Sequence, residues 1–514
     1  MNRSARLRLP RRFPQKPLKY GGLRLVLAHV SARLMVFGSL FRSRPKVGGK
    51  ILVAFASQTG AAERIAWLSA NALAGSGSFV RVAALGGLTA SDLAEAGTLL
   101  VVASTYGAGE APDSARAFAR KQMVQLPQLK GLRFAVLALG DRKYDATFCG
   151  FGRSMDRWLA AAKAARLFDA ICVNGDDDDA AMTRWCEQLT KLGADTSVEQ
   201  LMPGAPQDWI LAERRLLNSG SPGGEAWAVA LTPKNPAHLS WTAGDIAEIW
   251  PRNSEAAVDS FLGEHGLDGT LSFKWRGHWT YLRDIIAHSR LPRAHEVEGI
   301  SLAWLVERLE GYGAREYSIA SLPESGRMEL LVRKAVKDDG SLGLGSGWLT
   351  HTSDVGGIIK LRLRPNPNFQ PPPAGESGDS PQILIGAGTG IAGLRAHLLW
   401  RRKKRLGGAW LLFGERSRVS DLYYGDEIAA WAADGTLART DLVFSRDGRP
   451  AKYVQHLVAD AGNDVRAMVE KGASILVCGG MEMAAGVQDA LIAILGEDKL
   501  DQMTQSGLYR RDIY

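Results

Sequence analysis

The sequence predicts a multidomain α/β protein, with two doubly wound parallel-sheet units on either side of a β-rich one. Three observations predict it. The chain has 514 residues, which at about 150 residues per domain implies about three domains. Apolar β-rich runs alternate with helical stretches from Lys50 and again from Gln382, the pattern of a parallel sheet covered on both faces. Between those stretches the strand-like runs lack that alternation. The composition, 46% hydrophobic and 23% charged, excludes a mainly disordered, collagen-like or coiled-coil chain. Cys149, Cys172, Cys186 and Cys478 form no CxxC pair. No zinc ribbon, metal site or disulfide framework is expected, and a reducing, cytoplasmic compartment fits.

Residues 1–48 read as a basic and apolar extension. Residues 1–46 hold twelve Lys or Arg and no Asp or Glu, leaving 51 basic and 54 acidic residues in the rest of the chain. The net charge of +9 therefore resides in a tail, and no nucleic-acid partner is expected. The apolar run from Leu25 to Phe41 contains His29 and Arg33 and is short for a membrane span. Two readings fit it: a basic amphipathic helix in peripheral contact with the inner face of an anionic membrane, and a solvated extension.

Residues 49–195 form the first α/β unit. Strands are expected over 51–56, 98–104 and 133–139, and helices over 62–73, 112–125 and 152–164. The first strand runs into Ser57, Gln58, Thr59, Gly60, Ala61 and Ala62. Hydroxyls and backbone N–H groups at a helix start suit a phosphate, and an ordinary N-cap is the alternative. The next strand end carries Ser104, Thr105, Tyr106, Gly107 and Gly109, and the third carries Leu139, Gly140, Tyr144 and Phe148. Glycines admit a flat ring and tyrosines stack on one, and in an open sheet such loops line the ligand crevice. Asp176–Asp179 is read from the residues alone as a solvated helix start. Residues 196–224, with Asn218-Ser-Gly-Ser-Pro-Gly-Gly224, read as a linker.

Residues 225–375 form the β-rich unit, with a short helical insert at 255–312. Strand alternation places Arg315 and Tyr317 on one face and Ser318 on the other. The arginine suits a pyrophosphate, the tyrosine suits a ring, and the serine reaches its edge. Gly343, Gly345, Ser346 and Trp348 follow in a glycine turn that suits the same pyrophosphate. Residues 376–514 form the second α/β unit. Ile383-Leu-Ile-Gly-Ala-Gly-Thr-Gly390, with Gly388 and Thr389, is the strand, glycine loop and helix start of a nucleotide site. Ser445, Arg446, Lys452, Tyr453 and Gln455 suit a ribose phosphate. Cys478 follows a later strand, and the chain closes on Asp512 and Tyr514.

Together these motifs resemble the diflavin reductases, the family of NADPH–cytochrome reductases and of the flavoprotein subunit of bacterial sulfite reductase. The resemblance spans about 465 residues. It implies a flavodoxin-like FMN domain, an FAD β-barrel and an NADP-binding domain of the ferredoxin-NADP reductase type. The phosphate loop would hold FMN, with Tyr106 and Tyr144 flanking its ring. Arg315, Tyr317 and the glycine turn would hold FAD. Ser318, Cys478 and Asp512 would assist hydride transfer, and Tyr514 would cover the flavin. The implied path runs from NADPH through FAD and FMN to a one-electron acceptor protein, a haemoprotein such as a cytochrome or a sulfite reductase haem subunit. A membrane-surface reductase of metals or quinones, or a flavodoxin-like binding module that does not turn over, are the alternatives.

Overall fold

A computed structural model describes residues 50–514 apart from 76–77, 176–177, 202–203, 276–277, 298, 373–379 and 449–451. The basic extension, with its expected membrane contact, and Asp176 and Asp177 of the acidic run lie outside the described residues. Among the described residues no helix is long and apolar enough to cross a membrane.

The first sheet holds β1 (Ile51–Ala56), β2 (Val80–Ala84), β3 (Thr98–Ser104), β4 (Arg133–Gly140), β5 (Ala165–Arg166) and β6 (Ile171–Asn174). All pair in parallel, in the order β2-β1-β3-β4-β5, with β6 also beside β4. Strand β1 is buried along its whole length because helices cover both faces. These are α1 (Ala61–Ala74), α2 (Asp113–Lys121), α3 (Gly150–Ala161) and α4 (Asp179–Lys191). Phe118, Met155 and Trp158 fill one face, and Ile65, Leu73 and Trp185 fill the other. The buried Trp185 indole donates to Ser69 Oγ at 3.0 Å, so its polar atom goes inside with a partner.

The second sheet begins with β7 (Gln207–Leu216), β8 (Ala226–Pro233) and β9 (Ile246–Trp250). The insert follows, with the hairpin β10 (Ser272–Trp275) and β11 (His278–Tyr281) among its helices. It buries a small core of its own around Phe261, Ile285 and Leu305. Strands β12 (Arg315–Ser318), β13 (Met328–Arg333) and β14 (Ile358–Arg364) complete the sheet. The antiparallel order is β12-β9-β14-β7-β8-β13, and a bridge between Ile319 and Leu330 joins its ends into a barrel. Trp209, Leu211, Ile249 and Leu330 pack inside.

The structure corrects the linker expected at 196–224, since ten of its residues, Gln207–Leu216, are a barrel strand paired with both β8 and β14. A register shift between Leu211 and Glu213 is the physical reason the strand is hard to see. It breaks the two-residue period and sets Glu213, Arg214 and Arg215 in a row. The Gly-rich turn after β7 is also tied down: Asn218 Nδ2 and Ser221 Oγ each donate to the Asp421 carboxylate at 2.9 Å.

The third sheet is parallel throughout. It holds β15 (Gln382–Ala387), β16 (Ala409–Glu415), β17 (Leu437–Phe444), β18 (Ser474–Gly479) and β19 (Tyr509–Ile513), in the order β17-β16-β15-β18-β19. Around it lie α5 (Ile391–Lys404), α6 (Val454–Asp460), α7 (Met481–Leu495) and α8 (Glu497–Gln505). The chain therefore folds as two doubly wound sheets and a barrel, in the sequence order that the alternation predicts.

Inside the barrel wall, Glu248 is 1% exposed, accepts a hydrogen bond from Arg362 Nε at 2.6 Å and forms an ion pair with Arg364 at 2.7 Å. Removing the shared carboxylate takes a buried counter-charge from both arginines, although Arg364 keeps Glu316 at 2.6 Å. Glu248→Ala is expected to cost about 3–5 kcal/mol, read from the urea unfolding midpoint. A cost below about 1 kcal/mol would mean the two arginines do not depend on it.

Candidate functional site

A cleft of about 390 Å³ lies at the carboxyl ends of β1, β3 and β4, within the range of small-molecule sites. Gln58, Thr59 and Ala61 line it from the first loop, Ser104 to Gly107 from the second, and Leu139, Gly140, Tyr144 and Phe148 from the third. Ser57 is buried and its Oγ accepts the Gly60 N–H at 2.9 Å, so the hydroxyl shapes the loop and is not free in the cleft. Ala62 and Gly109 also stay out of the lining. The Ala62 side chain is in the core beneath α1, and Gly109 packs on Thr147 and Gly150. The Phe148 ring lies between the Arg142 and Arg153 guanidiniums, each 5.4 Å from its centre. The Thr105 hydroxyl is buried with no hydrogen-bond partner in the structure. Apolar ring walls with hydroxyls at one end suit a flat heterocycle bearing a polar tail, and an orphaned buried hydroxyl calls for a ligand atom.

The opposite wall comes from the rest of the chain: Glu316, Arg364, Met481, Ile513 and Tyr514. Residues 364–368 close over the phosphate loop. Arg364 Nη1 donates to the Thr59 carbonyl at 2.7 Å, and Asn368 Nδ2 to the Gln58 carbonyl at 3.3 Å.

Strand β19 pairs with β18 so that Asp512 lies directly beside Cys478. Ser318 Oγ donates to Asp512 Oδ2 at 2.5 Å, and Cys478 Sγ lies 3.6 Å from the same oxygen. Residues from three distant parts of the chain thus meet at one carboxylate. Burial raises the pKa of Asp512, against the hydrogen bond from Ser318. Burial, followed by the nearby Asp512 charge, pushes the Cys478 thiol well up. Cys478 is therefore a protonated thiol at neutral pH and not a nucleophile. Tyr514 is half exposed, and its hydroxyl bonds Thr389 Oγ1 at 2.8 Å. The glycine loop approaches closely here: a Cβ on Gly390 would lie 2.0 Å from the Cys478 carbonyl oxygen. Gly388, in the same loop, faces Glu415 and Arg333.

On the barrel, among the described residues the Arg315 guanidinium bonds only its neighbours' carbonyls, Gly313 and Ala314, at 3.0 and 3.1 Å, so its charge is available to an anion. Beside it, a Cβ on Gly345 would lie 2.9 Å from the Tyr317 hydroxyl, which leaves room there only for glycine. Glu316 and Ser318 face the other way, toward the cleft and Asp512, as the alternation requires. Ser346 Oγ accepts the Ala335 N–H at 3.0 Å, and Gly343 packs on both residues. Trp348 is a correction: its side chain is 5% exposed and packs inside the barrel core instead of forming a ligand wall along the glycine turn. It lies on the helical turn after Ser346, whose inner face is buried.

Ser445 and Arg446 follow β17 and bond back to Glu415 and Arg416, with each N–H···O at 2.8 Å. Lys452, Tyr453 and Gln455 start α6, whose Val454 packs against Gly414. These residues share the carboxyl edge of β16 and β17. The Lys452 ammonium lies 3.2 Å from Asp460, and Gln455 lies against Gly486 of α7. Among the described residues no cluster of His, Cys, Asp and Glu has the arrangement of a metal site.

Sequence reasoning missed the residues that hold the cleft shut. Arg511 is 5% exposed and grips Asp113 at the start of α2 with both arms of its guanidinium. Burial would raise the Asp113 pKa, but the Arg511 charge and hydrogen bonds overcome it and hold the carboxyl below its usual value. Arg120 reaches Asp498 at 2.8 Å and Asp501 at 2.6 Å. Asp113 and Arg511 lie 398 positions apart, and no local pattern links them.

Comparison with known proteins agrees with this geometry. Residues 53–196 match the flavodoxin family, and residues 384–489 match the oxidoreductase NAD-binding domain. The chain is 27% identical to the sulfite reductase [NADPH] flavoprotein alpha-component of Vibrio cholerae, over 91% of this chain and 88% of that one. It is 26% identical to the protein of the same name from Bacillus subtilis, over 91% and 90%.

Removing the Asp113 carboxylate leaves Arg511 buried without its counter-charge. Asp113→Ala is expected to weaken the contact across the cleft by about 2–5 kcal/mol. Small-angle scattering would show a larger radius of gyration at pH 7, where wild type stays closed. An unchanged radius would remove this pair as the latch.

Proposed function

We propose that the chain is a diflavin reductase, with a flavodoxin domain and an oxidoreductase NAD-binding domain in one polypeptide, and that it takes electrons from NADPH and delivers them singly to a haemoprotein. When bound, FAD and FMN supply the conversion of a two-electron donor into a one-electron source. The observation that carries the reading is the shared cleft, where the loops of the FMN domain face Tyr514 and Ile513 of the reductase half. Two ring sites that open onto one cleft need no carrier between them. The relatives are each called a component of sulfite reductase, which supports a separate protein as acceptor.

The residues divide the work by chemistry. Gln58, Thr59 and Ala61 cradle the FMN phosphate with backbone N–H groups and a hydroxyl. Tyr106 and Tyr144 flank the ring. Arg315 neutralises the FAD pyrophosphate, with Gly343 and Gly345 giving it room and Tyr317 bearing on the same cofactor. Gly388 and Thr389 take the NADPH pyrophosphate, and Arg446, Lys452 and Tyr453 read its 2′-phosphate. Ser318, Cys478 and Asp512 set the nicotinamide against the flavin and hold the proton balance there. Tyr514 covers that position and leaves Thr389 when the nicotinamide enters.

Denaturing the full chain should release one FMN and one FAD per polypeptide. With the native chain, NADPH should reduce the haem of an added sulfite reductase haem component, two one-electron reductions for each NADPH consumed. If only free ferricyanide is reduced, the haemoprotein proposal fails while the flavin chemistry stands.

A carboxyl whose folded pKa lies above its unfolded value, about 4, adds most stability below that value and loses it as pH rises through the folded pKa. Asp512 is such a group, so its ionised form costs stability at pH 7. Asp512→Asn is expected to raise the thermal midpoint at pH 7 and to lower NADPH-dependent ferricyanide reduction on the order of 10²-fold. A lower midpoint together with an unchanged rate would exclude this role.

A further inference from the structure

Two of the four cysteines meet beside the flavin cleft, on the face of the first sheet that α3 covers. Cys172 lies on β6, paired in register with Ala138 of β4. Cys149 immediately precedes α3, and its sulfur sits 3.2 Å from the Ala138 carbonyl oxygen and 3.8 Å from that of Val173. Both side chains pack into the apolar layer on that face. Two glycines allow so close an approach. A Cβ on Gly152 would come within 2.4 Å of Ala138 Cβ, and one on Gly140 within 2.7 Å of the Cys149 nitrogen. The two sulfurs are hydrogen-bonded to each other.

The pair is chemically unequal. Cys149 is fully buried, and its hydrogen bond to Cys172, followed by burial, raises its pKa and keeps it protonated. Cys172 is partly exposed. The hydrogen bond from Cys149, and then the nearby Arg153 and Arg142 guanidiniums, pull its thiol down to about 6 against its partial burial. At pH 7 it is mainly a thiolate. Cys149 also holds a left-handed backbone, φ 56°, a conformation that favours glycine, so the thiol is held there against a backbone cost. An ionised, accessible sulfur beside a protonated, buried one is the arrangement of an attacking and a resolving thiol.

We propose that Cys172 and Cys149 form a covalent-modification site for small hydroperoxides, in which Cys172 attacks and Cys149 closes a reversible disulfide. The Cys172 sulfur bonds one oxygen of hydrogen peroxide as the O–O bond breaks, and hydroxide leaves to become water with a proton. The Cys149 sulfur then displaces the oxygen of the Cys172 sulfenic acid. The S–S bond forms, the S–O bond breaks, and the thiol proton departs with that oxygen as a second water. The two sulfurs lose two electrons and the peroxide gains them. Cys149 directly follows Phe148 of the flavin cleft, and Arg153 both flanks that ring and bonds the Cys172 sulfur. Oxidation therefore frees Arg153 and acts on a wall of the cleft.

Peptide mapping of the full flavin-loaded chain tests this. The chain is treated with a slight excess of hydrogen peroxide, alkylated under denaturing conditions and digested without reductant. A linked peptide joining Cys149 to Cys172 is expected, lost on adding dithiothreitol, with Cys186 and Cys478 still alkylated. Cys149→Ser should leave Cys172 as a sulfenic acid that dimedone traps, and Cys172→Ser should slow peroxide consumption at least about tenfold. The absence of the linked peptide from wild type overturns the proposal, whatever the variants do. So does oxidation of Cys172 no faster than that of Cys186, or oxidation that runs on to the sulfinic acid while Cys149 stays alkylated.

Discussion

The pairing of β19 with β18 is the constraint on which the site depends. It is a short parallel pairing at the edge of a sheet, and its two-residue period sends neighbouring side chains opposite ways. Asp512 turns to Cys478 and Ser318, while Arg511 turns to Asp113 of the FMN domain. One register therefore sets the Ser318–Cys478–Asp512 cluster and the contact with Asp113 together. A slip by one residue would exchange the two faces, putting a guanidinium beside Cys478 and a carboxylate beside Asp113.

The contact across the cleft has two electrostatic layers of different character. Arg511 and Asp113 are buried, so salt screens them little. Arg120 and Lys121, in the last turn of α2, meet Glu497 and Asp498, in the first turn of α8. Each helix end carries the charge that its own dipole favours. These outer groups are exposed and individually weak, and the Asp498 pKa is held down to about 2 by Arg120 and Lys121. The first unit is almost neutral, with 16 basic and 15 acidic groups over residues 49–195. The contact therefore rests on where charges stand rather than on a net imbalance.

What the sequence made legible was local. The strand-loop-helix runs after β1 and β15 write their local fold within about ten residues, and both appear in the structure where they were expected. Asp512 was singled out only through the family resemblance, and the structure brings it to Ser318 and Cys478. Distant pairings were not readable: Arg511 finds Asp113, and Arg364 finds Thr59, only because the units dock. Strand β7 was hidden by its bulge. Trp348 misled because a tryptophan beside glycines suits a ligand wall and a barrel core equally well, and only packing decides between them.

The shared cleft has a consequence for throughput. Tyr514 and Met481 line the same cleft as the exposed Tyr144. On the proposed electron path, loading and unloading would share that opening and would alternate. A chain clasped too firmly would be filled quickly and emptied rarely, and one clasped too loosely would do the reverse. On that path turnover would peak at an intermediate grip.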